Sequence, residues 1–138
     1  MRYLAIDYGK KRTGLAICDP TETFTSPLAV LQGQKRIIEQ ILEIIDLQQV
    51  SALVIGIPLN MDGSKGFQAK EVENFAKSLE KNTSLPIYFQ DERLTTFAAE
   101  QKIIDAQYTN KKKKKRLDAI AAAEILNNFL ENKKEGSQ

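Results

Sequence analysis

The run Ala52-Leu53-Val54-Ile55-Gly56-Ile57-Pro58 is apolar at every position, and helical patterns stand on both sides of it. A strand with apolar side chains at both parities must be covered on both faces, the environment of a parallel strand inside an α/β sheet. Upstream, Ile37/Ile38, Ile41/Leu42 and Ile44/Ile45 recur at helical spacing between Lys35 and Gln49. Downstream, Ala69, Val72, Phe75, Ala76 and Leu79 form a second helical stripe, followed by a strand at Leu85-Pro86-Ile87-Tyr88-Phe89. Helix, strand, helix, strand is the pattern of crossover units.

The opening of the chain has a different period. Residues 3 to 8 alternate, with Leu4 and Ile6 on one face and Tyr3, Ala5 and Asp7 on the other, and Gly9-Lys10-Lys11-Arg12 reads as a turn. Thr13 to Cys18 returns as a second strand, and Ser26 to Leu31 is a candidate third. The expected fold class is therefore α/β, a mixed sheet of about five strands, the first three antiparallel, with helices on both faces. Thr95 or Thr96 is placed to cap a helix through about Asp105, Lys111 to Lys115 reads as a basic mobile stretch, and a last helix is expected from about Arg116 to Leu130. A chain of 138 residues suits one core. Residues 1–131 are expected as a single domain and 132–138 as a polar flexible tail.

Composition narrows the chemistry. Histidine is absent, which removes Ser-His-Asp and Cys-His catalysis and histidine-rich zinc sites, and the lone Cys18 reads as a buried small hydrophobe. No apolar run approaches the roughly 20 residues of a membrane helix, and the first strand is too short and too acidic for a signal peptide, so a cytoplasmic, membrane-free setting is expected. The net charge is only +2, but cations cluster at Lys10-Lys11-Arg12 and Lys111 to Arg116. Such clusters suit a polyanion, although a charge run is also an ordinary solvated surface. Gly9 to Gly14 has P-loop spacing, yet Leu15-Ala16 replaces the residues that would reach phosphate and Mg²⁺.

Most acids fall on polar helix faces; those at three places in the chain do not. Asp7 shares a strand face with apolar neighbours and would be desolvated unless paired or bound to a cation. Asp118 lies on one helical face with Ala122, Ile125 and Phe129, although an acid in a first helical turn also simply complements the helix dipole. Asp91 and Glu92 follow the end of a strand, where open α/β sheets place ligands; with Arg93 adjacent, an ion-paired turn is the alternative. Acids from distant segments at one sheet edge can hold Mg²⁺ or Mn²⁺ through hard oxygen ligands. Which of Asp91 and Glu92 takes part depends on strand register.

Four ordered segments together resemble the YqgF family, also called RuvX and associated with Holliday junction resolution. They are Asp7 to Ala16, Gly56 to Ser64, Asp91 to Thr96 and Leu117 to Ala122, and the match spans residue 3 to about 130. The resemblance implies a ribonuclease-H-like fold and a bacterial, cytoplasmic, metal-dependent endonuclease that processes the 5′ end of pre-16S ribosomal RNA. It implies Asp7, Glu92 and Asp118 as catalytic, metal-binding acids, an Asn60 to Ser64 loop lining the site, and Lys11 and Arg12 on the nucleic-acid backbone. Lys10, Asn60, Arg93, Lys113, Lys114 and Arg116 complete the expected nucleic-acid contacts. Tyr8 stands where the family pattern has a small aliphatic residue, and alternation assigns it to packing on the face opposite Asp7. The expected partners are pre-rRNA in a ribosomal precursor, with branched DNA as the competing substrate and a non-cleaving RNA-binding assembly factor as the competing class. The chain itself is expected as a monomer or weak homodimer.

Overall fold

The computed structural model describes residues 1–92 and 111–136. Strands β1 (Tyr3–Asp7), β2 (Arg12–Cys18) and β3 (Thr25–Gln32) are followed by helix α1 (Ile37–Gln48), β4 (Ala52–Ile57), α2 (Phe67–Glu80), β5 (Ile87–Asp91) and α3 (Lys111–Gly136). The five strands form one sheet in the order β3-β2-β1-β4-β5. Pairing is antiparallel for β1 with β2 and β2 with β3, and parallel for β1 with β4 and β4 with β5. Pro27 lies in β3, an edge strand, where a missing backbone N–H is tolerated.

Every residue of β4 is buried, and the reason is the expected one: helices cover both sheet faces. Leu4, Ile6, Leu15, Ile17, Leu53 and Ile55 pack with Ile41 of α1 and Val72, Phe75 and Leu79 of α2. On the opposite face Tyr3, Ala5, Ala16, Cys18, Ala52 and Val54 pack against Ala122, Ile125 and Leu126 of α3. Ala5, Ala16 and Ala52 on the sheet and Ala122 on the helix are small, so α3 lies close to the sheet. Among the described residues no helix is long and apolar enough to cross a membrane.

Three boundaries differ from expectation. The lysine run is not a mobile connector but the first turns of α3, which starts at Lys111 rather than near Arg116; straight-chain lysines lose little rotamer freedom in a helix. The same helix continues to Gly136, so most of the expected tail is helical. Strand β5 begins at Ile87 because Pro86 has no N–H for the ladder, although its carbonyl accepts the Leu53 N–H at 2.9 Å. The helix expected after Thr95 or Thr96 lies outside the described residues.

Candidate active site

Strands β1, β4 and β5 run parallel, so Asp7, Ile57 and Asp91 end at the same sheet edge, and β2 starts there at Arg12. A cleft of about 670 Å³ opens on this edge. Asp7, Glu92 and Asp118 line it together with Gly56, the turn residues Lys10, Lys11 and Arg12, and Phe67 at the start of α2.

Two glycines let the acids meet. Gly14 pairs with Asp7 across the hairpin. A Cβ there would lie 2.0 Å from the Asp118 carbonyl oxygen, so only glycine lets α3 approach and carry Asp118 to the edge. Gly56 stands on β4, and a Cβ there would lie 2.9 Å from the Glu92 carboxyl carbon and 2.5 Å from Ile125 Cδ1. The carboxyl group of Glu92 thus fills the space that a side chain at position 56 would need.

Register separates the two adjacent acids of β5. Gly56 pairs with Gln90 and Ile57 with Asp91, so Asp91 shares the face of Ile57 while the Glu92 carboxyl lies over Gly56 on the α3 face. The Glu92 N–H donates to the Ile57 carbonyl at 3.1 Å, prolonging the ladder by one bond and holding the turn. Asp118 stands about two turns inside α3, whose first residue is Lys111, so it is not a first-turn acid complementing the helix dipole.

The electrostatics are those of crowded carboxylates. Burial, then the neighbouring Glu92 and Asp118, hold the Asp7 carboxyl well above the usual carboxylate range. Burial and then Asp91 push Glu92 up to about 7. Arg12 Nε donates to Asp118 Oδ2 at 2.6 Å, a half-buried charged hydrogen bond. Arg12, expected on a phosphate, is engaged with Asp118. Among the described residues no three acid or cysteine side chains are gathered tightly enough to enclose an ion. Donor chemistry and the glycine-made space nevertheless fit a hard divalent cation, and mutual repulsion is what such a cation would relieve.

The other expected contacts are distributed unevenly. Lys10 is drawn to α2, with Nζ 3.2 Å from Glu71 Oε1 and 5.1 Å from the centre of the Phe67 ring. Asn60 does not line the cleft; it braces its own turn, its Nδ2 donating to Ser64 Oγ at 2.9 Å and its carbonyl accepting the Gly63 N–H at 2.8 Å. Lys113, Lys114 and Arg116 lie on the first turns of α3, and Arg93 falls outside the described residues. Tyr8 packs as alternation requires, stacked on Phe75 with ring centres 4.2 Å apart. Sequence reasoning missed Phe67 and Glu71; the available signal was the spacing Phe67, Glu71, Phe75, one residue per helical turn on a single face.

A ribonuclease-H-like α/β domain with carboxylates grouped at one sheet edge is the class defined by this fold and site. Residues 1–132 match the model of the RuvX family, described as Holliday junction resolvase, and the chain belongs to that family. A protein of Maridesulfovibrio salexigens named "Putative pre-16S rRNA nuclease" is 43% identical over 132 residues, covering 94% of this chain and 98% of its own. One of the same name from Roseiflexus is 41% identical over 135 residues, covering 96% of each chain. The fold is also that of Thermus thermophilus RuvC, solved with a Holliday junction substrate, at a TM-score of 0.57 and 14% identity over 91% of each chain.

Proposed function

We propose that this chain is a cytoplasmic, divalent-metal-dependent endonuclease that processes the 5′ end of pre-16S ribosomal RNA, with Asp7, Glu92 and Asp118 holding Mg²⁺ or Mn²⁺. The observation that carries the reading is the cleft itself, which three acids from separate elements line beside the basic β1–β2 turn. A bound cation of this kind activates water and offsets charge on the attacked phosphate. Lys10, Lys11 and Arg12 would bind backbone phosphates and hold the strand over the acids, a sequence-independent and salt-sensitive contribution. The pre-rRNA substrate is supported by the name shared by the relatives at about 40% identity. A four-way DNA junction is the second reading, favoured by the family description.

Cleavage of precursor 16S RNA and of a four-way junction, each with Mg²⁺, with Mn²⁺ and with chelator, separates these. Metal-dependent cuts in the RNA alone support the proposal. Cuts confined to the junction, or cutting that persists in chelator, remove it.

The pH dependence has a definite sign. Carboxyls whose folded-state pKa is raised keep their protons longer in the fold than in the unfolded chain. The metal-free protein therefore loses stability as pH rises from the ordinary carboxylate range through about 7, where Glu92 ionises. Cation binding expels those protons, so Mn²⁺ affinity is expected to rise across the same window. Isothermal titration in buffers of different ionisation enthalpy counts the protons, and a pH-independent affinity would exclude Glu92 from the ligand set.

Arg12 competes with the cation for Asp118. Arg12→Gln is expected to bind Mn²⁺ roughly tenfold more tightly, as losing a charged hydrogen bond of ~1.5–3 kcal/mol allows, while binding nucleic acid less tightly. Electron paramagnetic resonance of free Mn²⁺ reads the first effect. Unchanged or weaker Mn²⁺ binding in the variant would mean that Arg12 does not compete.

A further inference from the structure

Helix α2 turns one line of side chains toward the β1–β2 hairpin. Phe75 stacks on Tyr8, Glu71 pairs with Lys10, and Phe67, one turn nearer the sheet edge, lies beneath the Lys10 ammonium. The first two residues of this line join the hairpin to the helix. Phe67 touches the hairpin through the Lys10 ammonium yet stays open: 70% of its surface is exposed, it lies outside both apolar cores, and its ring meets no other aromatic ring among the described residues.

One exposed phenylalanine is ordinary on a protein surface. This one lines the same cleft as the three acids and the three cations of the turn. A ring face set among cations that attract a phosphate backbone is the combination that binds unpaired nucleobases, because every base has a stackable face whatever its sequence. The described contacts that hold Lys10 over the ring are a partly exposed ion pair and a cation–π contact, both weak in water, so a phosphate can draw it away from the ring.

We infer that Phe67 is a stacking platform for an unpaired base next to the acidic centre, so that the cleft takes a single-stranded segment rather than a continuous duplex. This rests on the nucleic-acid reading of the cleft and deepens it, by naming the conformation of the strand that enters.

The test uses the full chain in chelator, so that no cleavage intervenes, and fluorescence anisotropy at several salt concentrations. The probes are a short oligoadenylate, an abasic oligomer of equal length and a blunt RNA duplex. Phe67→Ala is expected to weaken oligoadenylate binding roughly ten- to a hundredfold, the range for removing one stacking partner, and to leave the other two probes and the salt slope unchanged. Phe67→Trp is expected to restore binding, and both variants should melt like the wild type because the position is exposed. Equal oligoadenylate binding by wild type and Phe67→Ala would overturn the platform, as would a loss shared by all three probes, which would make Phe67 only a prop for Lys10. A wild-type chain that binds none of the probes overturns the platform and the nucleic-acid reading together, whereas wild-type binding insensitive to position 67 overturns the platform alone.

Discussion

Asp7→Asn is expected to lower metal-dependent cleavage by roughly a thousandfold or more, because a lost anionic ligand removes transition-state stabilisation worth several kcal/mol. The same substitution is expected to stabilise the metal-free protein at pH 8. Burial, Glu92 and Asp118 all oppose the Asp7 anion, and asparagine removes that charge without changing shape. A gain of about 1–3 kcal/mol is the range for relieving a buried group of its desolvation cost. As pH falls the Asp7 carboxyl takes up its proton earlier than an ordinary carboxylate, so the gain should shrink; thermal melts in chelator at pH 8 and at pH 5 provide the measurement. Asp118→Asn should lose cleavage equally yet fail to stabilise, since it strips Arg12 of its 2.6 Å partner. Equal cleavage by wild type and Asp7→Asn would place the chemistry elsewhere, and a large loss of stability would make Asp7 a structural acid.

The second large effect is steric. At Gly14 the atoms in the way of a Cβ all belong to the helix backbone: the Asp118 carbonyl oxygen at 2.0 Å, its carbon at 2.5 Å and the Ala119 nitrogen at 3.1 Å. None can rotate aside, so Gly14→Ala must push α3 off the sheet and reopen the packing around Ala122, Ile125 and Leu126. A cost of about 3 kcal/mol or more is expected, at the upper end for overpacking, with a fall in Tm on the order of 10 °C. Asp118 moves with the helix, so Mn²⁺ affinity should fall as well. Gly56→Ala is the informative contrast, because its nearest obstacles are side-chain atoms of Ile125 and Glu92, which can give way. It should melt within a few degrees of wild type while losing Mn²⁺ binding through displacement of Glu92. A Gly14→Ala protein with wild-type melting would show that α3 does not lie on this glycine.

The architecture was legible in periods. Alternation in residues 3 to 8 put Asp7 on the face of Tyr3 and Ala5, and that face is the one covered by α3. The spacing 118, 122, 125, 129 likewise turned Asp118 inward. Both inferences rest on the backbone of one element, whose geometry repeats regardless of what packs against it. The basic run was misread because a charge run carries no period, and lysines join a helix as readily as they stay in a loop.

Asp7, then, was marked by the sequence alone as an acid out of place on an apolar strand face, and the order of strands and helices around it followed from the same local repeats. The choice of Glu92 over Asp91, the capture of Asp118 by Arg12 and the position of Phe67 in the cleft were decided by the tertiary structure. Each depends on how far one element slides along another, and that is set by the packing of residues distant in sequence: Gln90 beside Gly56, and Asp118 over Gly14. A repeat along one strand or helix says which way a side chain points, but only contact between elements says what it meets.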